Sequence, residues 1–232
     1  MTFKEHIKDA IGIELSEVQE NQFEQYFQFL VEYNRITNLT RIVEKEEVYY
    51  KHFYDSFLVA TSIDMTSIAS MCDMGSGAGF PSIPLKIIFP HLSITIVDSL
   101  NKRIVFLDKL VKLLSLDRIS LVHDRVELYA IKHQSAFDVV TARALGDLSL
   151  ITEMGLPMTK IGGWFIGLKG VNYESEFNQA KSGIARLGGT ISFVHHKDIP
   201  RDFGHRVIIG IKKEKHVEGY PRTFAQMTQK PL

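Results

Sequence analysis

The sequence predicts an α/β fold: a mostly parallel sheet with helices on both faces, preceded by an N-terminal helical cap. Three observations predict it. From about residue 67 onward, short apolar runs alternate with helical patterns, as they do when the crossovers between parallel strands are helices. Glycine pairs at 162–163 and 188–189 punctuate the junctions between a helical pattern and the strand after it, in keeping with helix C-terminal glycines. Residues 1–64 carry helical periodicity and no alternating run, so they stand apart from the sheet.

The cap comes first. Ser16 and Gln19 have the spacing of a capping box, in which each side chain satisfies the other's backbone N–H. Phe23, Tyr26, Phe27, Leu30, Val31 and Tyr33 then recur near helical spacing, which predicts a helix of about five turns ending near residues 36–38. A second helical pattern over 44–62 contains Val48, Tyr49, His52, Phe53, Phe57 and Leu58. Strands are predicted at 68–73, 93–98, 119–122, 137–142, 163–168, 190–194 and 206–211. Helices are predicted at 82–89, 101–115, 125–131, 146–158 and 174–187. The helix at 101–115 turns Ile104, Leu107, Leu110, Val111 and Leu114 to one face. The last two strands are close enough in sequence for an antiparallel hairpin at one edge. The expected division is a cap at 1–64, an α/β domain at 65–213 and a basic tail at 214–232.

Bulk composition excludes several classes. The chain has 232 residues, 45 % hydrophobic and 23 % charged, which is ordinary for a globular domain. No apolar run reaches the roughly 18 residues of a membrane span. The first residues include acids and no long apolar core, unlike a secretory signal. Cys72 is the single cysteine, so an intrachain disulfide and a cysteine metal cluster are both excluded, and Cys72 is expected in the core. A cytoplasmic protein with no membrane partner is expected. The 27 basic and 27 acidic residues cancel, which argues against a general nucleic-acid binder. Charge is uneven locally. Lys212, Lys213, Lys215, Arg222 and Lys230 face only Glu214 and Glu218 near the end; that segment reads equally as a solvated tail or a phosphate-contacting arm.

The most informative stretch is 71–80, MCDMGSGAGF. An apolar run ends in Asp73, and Gly75, Gly77 and Gly79 follow on alternate positions. Such a loop lets the backbone take positive φ and approach a ligand closely. Asp98 ends the next strand, 23 positions beyond Gly75, where a carboxylate can meet a ribose. A dinucleotide site wants G-x-G-x-x-G, with its third glycine packing helix on sheet. Phe80 holds that place here, and Pro81 and Pro84 belong at a helix start. A single nucleoside cofactor, S-adenosylmethionine, therefore fits better than a dinucleotide. A plain glycine turn between core elements is the bland alternative.

Ligands of open α/β sheets sit beyond the carboxyl ends of the strands. That rule selects Gly75 to Phe80, then Asp98, Ser99, Lys102 and Arg103, then Asp124 to Glu127 toward an adenine edge, then Thr141 and Arg143, and Lys169 with Gly170. Arg143 can pair bidentately with a carboxylate or phosphate; a surface ion pair is its bland reading, and the signal for Lys169 is weaker. The cap adds Asn34, Asn38, Thr40, His52 and Asp55. His52 and Asp55 share a helix face, as an acid/base or base-recognising pair, or merely as a polar junction. A lone His and Asp without further spaced ligands is weak evidence for a metal, and none is expected. No nucleophile elbow and no P-loop is present, so acyl transfer and nucleotide hydrolysis lack support.

These residues resemble the bacterial small-subunit ribosomal RNA guanine-N7 methyltransferases, once called glucose-inhibited division protein B. The likeness runs through YNRITNLT (33–40), HFYDSFLVA (52–60), DMGSGAGFPSIPLKIIFP (73–90), VDSLNKRIVFL (97–107), TARAL (141–145), LKG (168–170) and the tail YPRTFAQMTQKPL (220–232). Tyr33 stands where the family has a tryptophan, and the tail is a looser match than the rest. The resemblance implies a class I S-adenosylmethionine-dependent methyltransferase of Rossmann-like fold with a seven-stranded sheet. It carries the cofactor site onto Gly75, Gly77, Phe80, Asp98, Val126, Glu127 and Arg143. The implied substrate is N7 of one guanine in 16S ribosomal RNA, free or in the small subunit. Under that reading His52, Asp55 and Arg143 are the catalytic candidates, with Asp55 stabilising charge that develops on the purine. Asn38, Lys102, Arg103 and Lys169 are the RNA-contacting candidates. DNA is not an expected partner, and a monomer is expected. Three alternatives remain at this point: a small-molecule methyltransferase on the same fold, a nicotinamide-dependent oxidoreductase, and a non-catalytic RNA-binding or assembly factor.

Overall fold

A computed structural model describes residues 1–232. The cap opens with α1 (Phe3–Ile11) and α2 (Glu17–Thr37). Each starts on a reciprocal capping box, Thr2 with Glu5 and Ser16 with Gln19, and α2 stops at Asn38 in the left-handed conformation, φ 50°. The second cap pattern is no single α-helix. It begins as α3 (Lys45–Val48), widens into a π-helical stretch at Tyr49–Tyr54 and tightens again at α4 (Asp55–Phe57). A π-helical turn rotates side chains off the α-helical stripe, and here it aims His52 and Asp55 at the sheet.

Seven strands follow: β1 (Ser70–Met74), β2 (Ser93–Asp98), β3 (Ile119–His123), β4 (Phe137–Arg143), β5 (Thr159–Lys169), β6 (Gly189–Asp198) and β7 (His205–Lys213). They lie in the order β3-β2-β1-β4-β5-β7-β6. β7 is antiparallel to both its neighbours, and the pairs among β1 to β5 are parallel. The predicted edge hairpin forms, with β7 inserted between β5 and β6. The helices α5 (Ser82–Ile88), α6 (Asn101–Leu113), α7 (Val126–Lys132), α8 (Leu148–Met158) and α9 (Glu174–Arg186) are the crossovers. Strand order reverses between β1 and β4, which makes their carboxyl ends the expected ligand crevice.

One expectation about glycine fails. Gly162 and Gly163 do not end a helix; α8 runs directly into β5, and the pair lies within that strand. The pairing with β4 slips between Phe137 and Val139. A Cβ on Gly163 would meet the Asp138 carbonyl oxygen at 2.7 Å, so the glycine serves close backbone approach at a bulge.

The apolar side chains form two clusters, one on each face of the sheet. The larger joins cap residues such as Tyr26, Phe53 and Phe57 to Met71, Ile94 and Ile96 of the sheet. The cap therefore has no core of its own; it covers one face of the sheet and shares that core. The other face is closed by α7, α8 and α9.

The tail does not hang free in solvent. It forms α10 (Phe224–Gln229), with Met227 buried. Arg222 makes a bidentate pair with the buried carboxylate of Glu153, 2.6 Å at each contact, and that charge is therefore spent inside the protein. A six-residue helix is too short to show periodicity in sequence, which is why the segment reads as unstructured.

Candidate functional site

The site begins at Asp73. Its carboxylate is fully buried and accepts from the Ser82 backbone N–H at 3.2 Å and the Thr141 hydroxyl at 3.1 Å. These bonds tie the glycine loop to the start of α5 and to β4. Burial pushes the Asp73 carboxyl up to about 6, against the hydrogen bonds that lower it. Beyond Asp73 the backbone turns through positive φ at Gly75 (65°) and Gly79 (102°). A Cβ on Gly79 would meet the Tyr26 hydroxyl at 2.7 Å. The same hydroxyl donates to the Ala78 carbonyl at 2.5 Å, so the cap holds the loop's shape.

Two adjoining cavities open at the carboxyl ends of β1 to β4. The first, about 240 Å³, is lined by Asp98, Val126 and Glu127, with Leu150, Met154 and Phe224 on its apolar side. The second, about 190 Å³, is lined by Gly77, Phe80, Thr40, His52 and Arg143. Gly75, Arg103 and Leu145 line both, so the two are lobes of one cleft split by the glycine loop.

Asp98 stands at the divide. It is 1 % exposed; one oxygen accepts from Gly77 N at 3.2 Å and Arg103 Nη1 at 3.1 Å, and the other from Leu100 N at 2.9 Å. The carboxylate is thus held by a guanidinium and two backbone N–H groups. Glu127 is buried beside it and pairs with Arg125.

The second lobe is built on aromatic rings. The imidazole of His52 stacks on Phe80, whose other neighbour is the nearly parallel ring of Tyr26. Arg143 approaches the Phe80 ring at 5.5 Å and donates from Nη2 to His52 Nδ1 at 2.9 Å. Arginine can only donate, so Nδ1 is the bare nitrogen and Nε2–H donates to the Thr40 hydroxyl at 3.0 Å. Burial, then the nearby Arg143 charge, lowers His52 to about 3. Both ring nitrogens are thus engaged and burial favours the neutral ring, which leaves no free nitrogen for the acid/base role expected of His52.

Asp55 is also re-placed. It lines neither lobe. Its oxygens lie 3.1 Å from Arg143 Nη1 and 3.0 Å from Arg206 Nε. These are ion contacts rather than in-line hydrogen bonds, since Asp55 Oδ1 and Arg143 Nη1 make no aligned bond. Asp55 is sandwiched between two guanidinium groups and 1 % exposed.

Of the remaining predicted residues, Gly75, Gly77, Phe80, Asp98, Val126, Glu127, Arg103 and Arg143 come together in the cleft. Asn38, Lys102 and Lys169 line neither lobe. Asn38 ends α2, and the loop after it is clamped by Asn34, which accepts from Leu39 N and Thr40 N at 2.6 and 2.9 Å. Lys102 is exposed and donates to the Thr37 carbonyl at 3.0 Å. Lys169 is largely buried against Glu176 at 2.6 Å and is not a free cation. Sequence reasoning missed Leu150 and Met154, which carry only a helical pattern, and Phe224 and Arg206, which are brought in from far along the chain.

The donor set fits a nucleoside cofactor. The carboxylate at the end of β2 matches a diol, the apolar walls beyond it match a flat base, and Gly75 leaves a space that a Cβ would fill, 2.5 Å from Leu145. No three His, Cys, Asp or Glu side chains converge as a metal site, and no helix is long and apolar enough to cross a membrane.

Comparison with known proteins agrees with this geometry. A family model described as rRNA small subunit methyltransferase G matches residues 19–203. Among curated proteins, "Ribosomal RNA small subunit methyltransferase G" of Staphylococcus saprophyticus is 49 % identical, over 95 % of this chain and 93 % of that one. The protein of the same name from Acholeplasma laidlawii is 45 % identical over 98 % of both. Among solved structures, M. jannaschii TYW2 in complex with AdoMet superposes with a TM-score of 0.58 at 13 % identity, covering 75 % of this chain and 79 % of that one. At that identity the likeness speaks for the fold.

Proposed function

The chain belongs to the rRNA small subunit methyltransferase G family, and from that premise we propose that it methylates N7 of one guanine in 16S ribosomal RNA, with S-adenosylmethionine as methyl donor. The observation that carries the reading is the two-lobed cleft: a carboxylate-bearing nucleoside lobe and an aromatic lobe meet at the glycine loop, and the aromatic lobe offers no general base.

Bound there, S-adenosylmethionine supplies an electrophilic methyl group on sulfur. Guanine N7 carries a lone pair at neutral pH and needs no deprotonation, so a site without a base suits it. The chain's residues act by placement. Asp98 accepts from ribose hydroxyls; Val126, Leu150 and Met154 enclose the base; Phe80, held between Tyr26 and His52, fixes the shape of the lobe that a purine would enter. Arg143, steered by Asp55, fixes the His52–Phe80 stack. Positioning of this kind supplies much of the barrier reduction in a two-reactant step.

Four cations sit on the cap side without a carboxylate partner. Arg35 and Arg41 are exposed near the end of α2, Lys102 reaches Thr37, and Lys109 lies over the Tyr33 ring. They support RNA phosphate binding near the aromatic lobe despite zero net charge. The reading includes a target guanine out of its stack, because A-form RNA hides its major-groove edge. It also includes a monomer working in the cytoplasm on RNA rather than DNA.

The test is transfer of labelled methyl to 16S RNA or small subunits taken from a strain lacking the gene. Label recovered as 7-methylguanosine at one site supports the proposal. Cofactor uptake with no label in either RNA overturns it in favour of a small-molecule acceptor.

A further inference from the structure

Phe224 is out of place as a surface residue. It is 40 % exposed while its α10 neighbour Met227 is 1 % exposed. It lines the nucleoside lobe together with Leu150 and Met154 of α8. The Arg125 guanidinium lies 4.8 Å from the ring centroid, and Arg125 is in turn held by Glu127. An exposed aromatic lining a cavity beside a fixed cation that lines the same lobe is built to take a flat partner.

The segment that carries Phe224 is firmly seated. Arg222 grips Glu153 on α8 and also donates to the Lys230 carbonyl at 3.0 Å. A Cβ on Gly183 would meet Leu232 at 2.6 Å, so the last residue packs directly on α9. α8 supplies Leu150 and Met154 to the same lobe. The tail and α8 therefore present one continuous wall. The tail's share of this wall, unlike α8, lies outside residues 19–203, the part matched by the family model.

We infer that the C-terminal segment 220–232 completes the cofactor site, and that Phe224 covers the adenine of S-adenosylmethionine as an adenine-contacting residue. The inference rests on the S-adenosylmethionine reading of the cleft. The base belongs at this end because Asp98 marks the ribose and Val126 the wall beyond it. Adenine would lie between Val126 and the Phe224 ring, in the lobe that Arg125 also lines.

Calorimetric titration of the full chain with S-adenosylmethionine, and separately with adenosine, tests this in wild type, Phe224→Ala and Phe224→Trp. An aromatic contact of ordinary strength corresponds to about a three- to tenfold rise in Kd for Phe224→Ala. The same factor is expected with both ligands, because the lost contact is to the base. Phe224→Trp should stay within about twofold of wild type. In turnover, Phe224→Ala should raise KM for the cofactor and leave kcat unchanged. Equal affinities for all three proteins overturn the inference, as does a loss seen with S-adenosylmethionine but not with adenosine. A wild-type protein that takes up neither ligand overturns the cofactor reading itself, and this inference with it. A thermal midpoint for Phe224→Ala equal to wild type is expected, since the ring is partly exposed.

Discussion

The imidazole of His52 lies on the ring of Phe80 with centroids 4.4 Å apart and planes 17° apart, while Arg143 bonds the imidazole edge. On the proposed function, His52 fixes the wall of the aromatic lobe rather than carrying a proton in turnover. With its pKa near about 3, kcat/KM should show no His52 limb between about pH 6 and 8. His52→Gln should lower the rate without changing the profile's shape. A wild-type limb in that range that disappears in the variant would restore His52 as an acid or base. The stability sign follows from the lowered pKa: unfolded His52 takes up a proton below 6.5 and the folded ring resists it until about 3. Its contribution is present above that window and is lost as pH falls through it, so the gap between wild type and His52→Gln in urea should narrow from pH 7 to pH 5.

Asp55 works through the two arginines it holds. Asp55→Ala leaves Arg143 and Arg206 facing a buried void and should cost about 3–5 kcal/mol of stability. Asp55→Asn keeps the shape and should lower both turnover and thermal midpoint. A fall in turnover with an unmoved midpoint would instead mean direct contact with substrate.

Asp98 should dominate cofactor affinity. Asp98→Asn removes charge-assisted bonds to Gly77 and Arg103 together with the ribose acceptor. Bonds to charged groups contribute about 1.5–3 kcal/mol, so Kd for S-adenosylmethionine should rise by about 10- to 100-fold. Titration of the variant checks it, and a change under about threefold would remove Asp98 from the ribose site.

Glycines in one loop should differ in their tolerance. Gly77→Ala meets nothing within 4 Å and suffers only the positive φ, about 1 kcal/mol. Gly79→Ala adds a clash with the buried Tyr26 hydroxyl and with Ile83 and should cost about 2–4 kcal/mol. Equal midpoints for the two variants in chemical denaturation would contradict the claim that the cap shapes the loop.

Asp73 imposes a slope of opposite sign to that of His52. Its folded pKa is raised from 3.8 to about 6, so in that window the folded state keeps a proton that the unfolded state releases. Stability from Asp73 therefore falls as pH rises through the window. Asp73→Asn should gain on wild type between pH 4 and pH 6, measured by urea midpoints; a constant difference would mean that the carboxyl titrates normally.

Much of the site is legible because its signals are local. The glycine spacing, Asp98 at the end of a strand and Arg143 after FDVVTA each lie within a few residues of the element that positions them. The largely parallel sheet and its edge hairpin follow from the alternation of apolar runs and helical patterns. What is not legible depends on contacts distant in sequence. Arg206 claims Asp55 from the edge hairpin, which turns a solvent-facing candidate into a buried anchor. Glu153 captures Arg222, and Glu176 captures Lys169; each removes a cation that sequence alone leaves free for phosphate. The π-helical stretch at Tyr49–Tyr54 also escapes periodicity, because its apolar spacing still reads as helical.

The bond from Tyr26 to Ala78 and the core shared by cap and sheet have a further consequence. A lid that swings must have a hinge and a surface it can bare to water. Here Tyr26 is wholly buried between Phe53 and Phe80, and lifting the cap would open the protein's main core. On the proposed function, a cap so tied to the sheet would leave most of the deformation that docking requires to the nucleic acid. If so, such an enzyme would gauge RNA conformation, its rate following how often the proposed target guanine already stands clear of its neighbours.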